Sequence, residues 1–302
     1  MQSETGIEAN SGRRYYLDYA DDAGAGGLTF LLNLHGGGSG GVWQRRYFPA
    51  HRYADAYRLV VAAPTAKTRE PMRHWAPDVD DAHLVDVVEQ VFERFGTGSI
   101  RAFWLVGHSQ GGMTANRLLN TEFFADRVDG WLSLSGGRIG PAQLVEGFGP
   151  PRSREERDAM SGLRARRFRQ HPVPDADFSF IFAIGEHEIV GLPETSPWGE
   201  KYGAGERVRA AVIEDPEPGQ VRDTRWGDRS TPSWGRAARP GTAEIYVYPG
   251  ARDGRVIADV LRRDKGHTEG LEPRITEEIL KLIVAAPGGK SREAAAPSER
   301  TA

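Results

Sequence analysis

The stretch Trp104-Leu105-Val106-Gly107-His108-Ser109-Gln110-Gly111-Gly112 constrains the fold more than any other part of the chain. It grows out of a nearly continuous apolar run, Ile100, Ala102, Phe103, Trp104, Leu105 and Val106. Such a run suits a strand covered on both faces, as in a parallel sheet. Past the glycines, Ala115, Leu118 and Leu119 recur at helical spacing between Met113 and Asn120. Gly-His-Ser-Gln-Gly therefore sits between a strand and a helix, the context of the G-x-S-x-G nucleophile elbow. A turn that aims a serine hydroxyl out of the top of a sheet is tight, and the positions flanking the serine have no room for a Cβ; Gly107 and Gly111 meet that demand. The following helix places its N-terminal N–H groups beneath the serine, where negative charge can develop. With 37 glycines in the chain, Gly-x-Ser-x-Gly also arises by chance in loops; the strand before and the helix after distinguish this copy.

The chain has 302 residues, 39% of them hydrophobic and 27% charged, which fits one large α/β domain or two small ones. A net charge of −3, with no basic run interleaved with aromatics, argues against nucleic acid as a partner. The absence of cysteine excludes disulfides, thiolate metal ligands and a cysteine nucleophile. Met1-Gln2-Ser3-Glu4-Thr5 carries no signal pattern, and no run of about 18 apolar residues suggests a membrane span. The expectation is a cytoplasmic protein, or a secreted one if a leader has been removed.

A second glycine cluster follows the buried strand Leu28 to Leu34: His35-Gly36-Gly37-Gly38-Ser39-Gly40-Gly41. A hydrolase that forms a tetrahedral intermediate needs two N–H donors aimed at the oxyanion. One comes from the residue after the nucleophile, here Gln110, and the other from a glycine-rich loop after an earlier strand. Gly37 is the choice for the second donor, with Gly38 beside it. A phosphate cradle would want Gly-Lys-Ser/Thr, and the run has no lysine. His35 reads as a structural histidine pinning the loop.

Further strands are expected at Arg14 to Tyr19, Tyr57 to Ala66, Val128 to Ser135, Phe178 to Ile184, Thr242 to Tyr248 and Arg255 to Leu261. Residues 42–56 read as helical. So does the stretch holding Leu84, Val85, Val87, Val88, Val91 and Phe92, with Asp80 or Asp81 as its cap. A closing helix spans Pro273 to Ala286. The main body is taken as residues 13–286. Insertions are expected at about 140–176, lid-like in role, and at 191–242; residues 1–12 and 287–302 are read as disordered tails. His108, Trp75, Trp198 and Trp234 are the substrate-facing choices, with core packing the competing reading for the tryptophans.

The strand ending at Ile184 leads into Gly185-Glu186-His187-Glu188. A carboxylate just past this strand is where a triad acid belongs; Glu188 is the first choice and Glu186 the second. After the last strand comes Asp264-Lys265-Gly266-His267-Thr268-Glu269-Gly270. Of eight histidines, His267 alone follows the acid choices, which gives the order Ser109, Glu188, His267. No metal or cofactor is called for.

Five short blocks together carry a family likeness: Leu34-His35-Gly36-Gly37-Gly38; Trp75 with Val79-Asp80-Asp81; Gly107-His108-Ser109-Gln110-Gly111-Gly112; Gly185-Glu186-His187-Glu188; and Gly266-His267-Thr268. Spread over residues 28–286, they resemble the marker stretches of polyhydroxybutyrate depolymerases and feruloyl/acetylxylan-type esterases. The resemblance implies an α/β-hydrolase fold: a mostly parallel central sheet, helices on both faces and a lid-like insertion. It also implies carboxylic ester substrates, small or oligomeric, and favours Glu188 as the acid. The chain departs from the pattern in placing glutamate where the family usually has aspartate, in lacking cysteine, and in carrying Glu269-Gly270 after Thr268. The expected function is a serine carboxylesterase. The alternatives are an amidase or peptidase using the same triad, or a ligand-binding protein on a hydrolase fold.

Overall fold

The computed structural model describes residues 1–70, 72–137, 174–188, 191–224 and 234–295. Its centre is a ten-stranded sheet. In chain order the strands are β1 (Gln2–Ile7), β2 (Arg14–Tyr19), β3 (Leu28–Leu34), β4 (Leu59–Pro64), β5 (Ile100–His108), β6 (Gly130–Leu134), β7 (Ser179–Gly185), β8 (Val208–Asp215), β11 (Gly241–Val247) and β12 (Ile257–Arg263). A short separate pair is formed by β9 (Asp223–Thr224) and β10 (Trp234–Arg236). The spatial order is β1-β2-β4-β3-β5-β6-β7-β12-β11-β8. The block from β4 to β12 is parallel throughout, and antiparallel strands flank it on both sides.

The central strands are apolar throughout because both faces are covered. In β3 and β5, Phe30, Leu32, Phe103 and Leu105 join one core cluster, while Leu31, Ala102, Trp104 and Val106 join the other. On the first face lie helices α3 (Pro77–Phe95) and α4 (Gln110–Leu118), contributing Leu84, Val87, Val88, Val91, Ala115 and Leu118. On the second lie α1 (Gly41–Tyr47), α2 (Ala54–Tyr57) and α7 (Pro273–Ala285), the last packing Ile275, Ile279, Leu280 and Ile283. Two short helices, α5 (Glu122–Ala125) and α6 (Pro197–Lys201), complete the set up to α7. Asp80 serves the start of α3 from within its first turn, its carboxylate accepting the Ala76 and Lys67 N–H groups while pairing with Arg13. Among the described residues no helix is long and apolar enough to cross a membrane.

The ends of the chain differ from the expected tails. Residues 2–7 form an edge strand rather than a disordered lead, paired in full register with β2. Little apolar burial holds it. Ser3 bonds Asp18, Glu4 pairs with Arg94, and the buried Glu8 carboxylate gathers the N–H groups of Asn10 and Ser11 at the turn. At the other end, α8 (Lys290–Ala295) packs on the body: the Lys290 N–H bonds Asp129 at 3.1 Å and its ammonium bonds the carbonyls of Ala125 and Asp177. Residues 296–302 lie outside the described residues.

The segment 191–242 likewise departs from an irregular insertion. It contains α6 and the edge strand β8, which alternates Ala211 and Ile213 toward the core with Val208 and Val212 toward solvent. Most of the other expected insertion, residues 138–173, lies outside the described residues.

Candidate active site

Parallel pairing fixes which loops meet. Leu34 in β3 lies opposite Gly107 in β5, so His35-Gly36-Gly37 emerges beside His108-Ser109-Gln110. Arg262 in β12 lies opposite Gly185 in β7, so the turn holding Glu188 emerges beside the loop holding His267. These are loops at the carboxyl ends of strands, where open α/β sheets build their sites.

Ser109 takes φ 50° and ψ −115° between β5 and α4. A non-glycine residue in such a conformation costs about 1–3 kcal/mol and persists only when its surroundings fix it. Here the Ser109 N–H donates to the Leu134 carbonyl at 2.8 Å. A Cβ at Gly111 would strike the Leu34 carbonyl, so only glycine lets β3 and the elbow approach this closely. Ser109 itself is half-buried.

Of the two glycine N–H groups beside it, Gly38 is committed, donating to the Arg73 carbonyl at 2.8 Å. The Gly37 N–H has no acceptor among the described residues. The Gln110 N–H opens α4 and is one of the four that a helix leaves without an internal partner. The Gln110 side chain accepts the Trp75 N–H at 3.3 Å, tying the elbow to the loop before α3. Buried His35 pins the glycine loop: its Nδ1 donates to the Gly36 carbonyl at 2.7 Å and its Nε2 accepts the Ala66 N–H at 3.0 Å. That pattern needs a neutral ring, and burial pulls its pKa down to about 4.

His267 Nδ1 lies 2.7 Å from Glu188 Oε2, with the carboxylate side chain 6% exposed and the imidazole 22%. Glu186, the other acid considered, turns away. It pairs with Arg263 at 2.8 Å and accepts the Asp264 N–H at 2.8 Å.

The loop carrying His267 rests on a buried set of charges that the sequence reading passed over. Lys265 Nζ reaches Glu269 at 2.6 Å and Glu272 at 2.7 Å, and also donates to the Arg239 and Pro240 carbonyls. Arg262 Nη2 bonds Glu272 at 3.1 Å, and the guanidinium donates to the carbonyls of Glu269 and Gly270. These four side chains are no more than 2% exposed. Burial alone would raise the Glu269 pKa; Lys265 and Arg239 overrule it and hold the carboxyl below its usual value. The signal was present as a dense run of charge from Arg262 to Glu272, but surface loops look the same.

Three of the four substrate-facing choices, Trp198, Trp75 and His108, are buried. Trp198 is fully buried against Phe178 and Phe180, with ring centroids 4.7 and 5.7 Å away, and belongs to the core. Trp75 is also buried; its Nε1 donates to the His35 carbonyl at 2.8 Å and its ring lies on His35, so it braces the glycine loop from behind. His108 is 3% exposed and donates from Nε2 to the His267 carbonyl at 2.8 Å. The Trp234 backbone lies in β10, opposite Thr224, and its side chain lies outside the described residues. Half-buried Trp43, not among the residues first chosen, stacks on Tyr47 at 4.8 Å and approaches His108 of the elbow at 5.1 Å. Among the described residues no group of three or more His, Asp or Glu is placed to hold a metal ion.

Three known structures are similar to this chain to different degrees. The acetyl xylan esterase from Aspergillus awamori aligns over 95% of this chain and 100% of its own, at 9% identity and a TM-score of 0.55. A fluorophosphonate-binding serine hydrolase of Staphylococcus aureus aligns over 62% of this chain and 79% of its own, at 17% identity and a TM-score of 0.37. An esterase from Thermogutta terrifontis aligns over 63% and 74%, at 15% identity and a TM-score of 0.39. At 9% identity the likeness to the acetyl xylan esterase is one of fold. Comparison with curated protein sequences gives no match. A family model matches residues 31–289, from within β3 through α7, and the chain belongs to the alpha/beta hydrolase family.

Proposed function

We propose that this protein is a serine hydrolase of carboxylic esters. In this reading Ser109 is the nucleophile, His267 the general base, Glu188 the triad acid, and the N–H groups of Gln110 and Gly37 the oxyanion hole. The observation that carries the reading is the 2.7 Å contact between His267 Nδ1 and Glu188 Oε2, on a loop bonded to the residue preceding Ser109. A carboxylate on Nδ1 keeps the proton there and leaves Nε2 as the basic nitrogen. His267 Nε2 takes the Ser109 proton as Oγ attacks the ester carbonyl. The carbonyl oxygen gains the negative charge and is met by the two N–H groups. Collapse expels the alcohol, which receives the proton from His267, and leaves an acyl group on Ser109. Water, deprotonated by the same nitrogen, then releases the acid. These steps use only the chain's own side chains and backbone amides. The short motif blocks and the full-length fold likeness to an acetyl xylan esterase support an ester in the range of the acetylxylan, feruloyl and polyhydroxybutyrate-type enzymes.

The test is Ser109→Ala, assayed on a panel of esters of increasing acyl length beside matched anilides. Turnover should fall by about a million-fold if Ser109 is the nucleophile. A folded variant that keeps near-normal ester turnover ends the reading, and anilides cleaved in preference to esters would transfer the same residues to amide chemistry.

A further inference from the structure

We infer that His108 is a positioning residue, holding the base loop and the glycine loop in fixed relation to the nucleophile; the inference rests on the esterase reading above. Its side chain is the meeting point of the three segments that reading requires. Toward the base loop, Nε2 lies 2.8 Å from the His267 carbonyl, and the two imidazoles approach with ring centroids 4.8 Å apart. A carbonyl can only accept, so Nε2 carries the proton and Nδ1 is the bare nitrogen. Toward the glycine loop, that bare Nδ1 is buried with no hydrogen-bond partner among the described residues, and an added Cβ on Gly36 would sit 2.5 Å from it. The first glycine of the loop is thus glycine because the His108 ring occupies the place of its side chain. Toward α1, the ring packs on Tyr47 at 4.1 Å and on Trp43 at 5.1 Å. The Tyr47 hydroxyl also approaches the His267 carbonyl, at 3.5 Å, and the Tyr47 carbonyl accepts the Leu271 N–H at 2.8 Å.

His108 belongs to the strand end that Ser109 continues, so any shift of the base loop relative to the serine must break the His108 Nε2–His267 bond. Burial, reinforced by His267 itself, keeps the His108 ring neutral. The bond does not depend on the charge of His108, since an imidazolium would keep the same Nε2–H donor. A direct role in binding substrate is unavailable to a side chain this enclosed; it acts through His267.

The experiment compares His108→Leu, which keeps bulk and loses the donor, with His108→Gln, whose amide nitrogen reaches about where Nε2 stands. Wild type and Ser109→Ala are assayed alongside on 4-nitrophenyl acetate. We expect His108→Leu to lower kcat about 30-fold with KM within about two-fold, and to move the acid limb of the kcat/KM–pH profile, as a base set loosely against its carboxylate would. His108→Gln should recover most of kcat and return the acid limb. Equal losses in both variants, tracking their thermal midpoints, would make His108 an ordinary packing residue, and undiminished kcat in His108→Leu would overturn the inference outright. Should wild type itself prove inert on every ester, the esterase reading falls. The contact is then read from the nitrogen-15 spectrum of the histidines, where a His108 Nε2 proton protected from exchange sustains the positional link and its absence removes it.

Discussion

Glu186 and Glu188 are separated by one residue and share one strand end, yet the fold gives them opposite surroundings. Glu186 is engaged with Arg263 and the Asp264 N–H, 38% exposed, and both ties hold its carboxyl below the usual range. Glu188 is enclosed and faces His267. Under the proposed mechanism, Glu188→Gln leaves the ring near its place but no longer fixes the tautomer, and kcat should fall by about 10⁴-fold. Glu186→Gln should leave kcat within a few-fold, since it touches only the rim. Steady-state kinetics on the two purified variants compares them directly, and a reversed ranking would move the acid to Glu186. The sequence left this pair open because residue spacing says which side chains leave a strand end but not which way each turns. The direction is set by Arg263 and Asp264, nearly 80 residues further along the chain.

Elements built on apolar periodicity could be read from the sequence: β3, β4, β5, β7, α3 and α7 all lie where their patterns place them, within a few residues. The elements that were missed are those held by something other than buried carbon. β1 is polar and joins the sheet through backbone pairing and ion pairs, so its composition resembles that of a disordered tail. β8 lies at the opposite edge with one face open, and its short alternation was lost among prolines and arginines. The loop from Asp264 to Glu272 was legible as a histidine loop but not as a charged interior, because burial is a property of the assembled structure. Its energetics follow from that burial. Removing one partner of a buried ion pair strands the other, at about 3–5 kcal/mol. Glu269→Gln, which leaves Lys265 and Arg239 short of an anion, should therefore lower the unfolding free energy by about 3 kcal/mol, measured by urea titration at neutral pH. A loss under about 0.5 kcal/mol would mean that solvent reaches this set of charges freely.

Over the whole molecule, several histidines are kept neutral by their surroundings. Burial lowers the pKa of His35 and His51 from 6.5 to about 4, and lowers those of His83 and His108 as well. On unfolding, each regains an ordinary pKa and takes up a proton wherever the pH lies between the two values. The unfolded chain thus binds more protons in that window, so stability is present in full above about 6.5 and drains away as pH falls toward about 4. Each of the first two contributes up to about 3 kcal/mol to that loss. Urea midpoints followed from neutral pH to about 4.5 should decline steeply. In His51→Phe, where the buried Nδ1 has no partner among the described residues to lose, the slope should be shallower; an unchanged slope would assign the acid sensitivity elsewhere.

The enclosure of Arg262, Lys265, Glu269 and Glu272 sets how the proposed base responds to its medium. Counter-ions screen charges they can approach, and they cannot enter a space from which water is itself shut out. Brine would loosen exposed contacts such as the one between Glu4 and Arg94, peeling at the border of the sheet, while the imidazole at the opposite end of the design keeps its footing. Tolerance of salt would then be decided at the periphery of this protein and not at the place where bonds are broken.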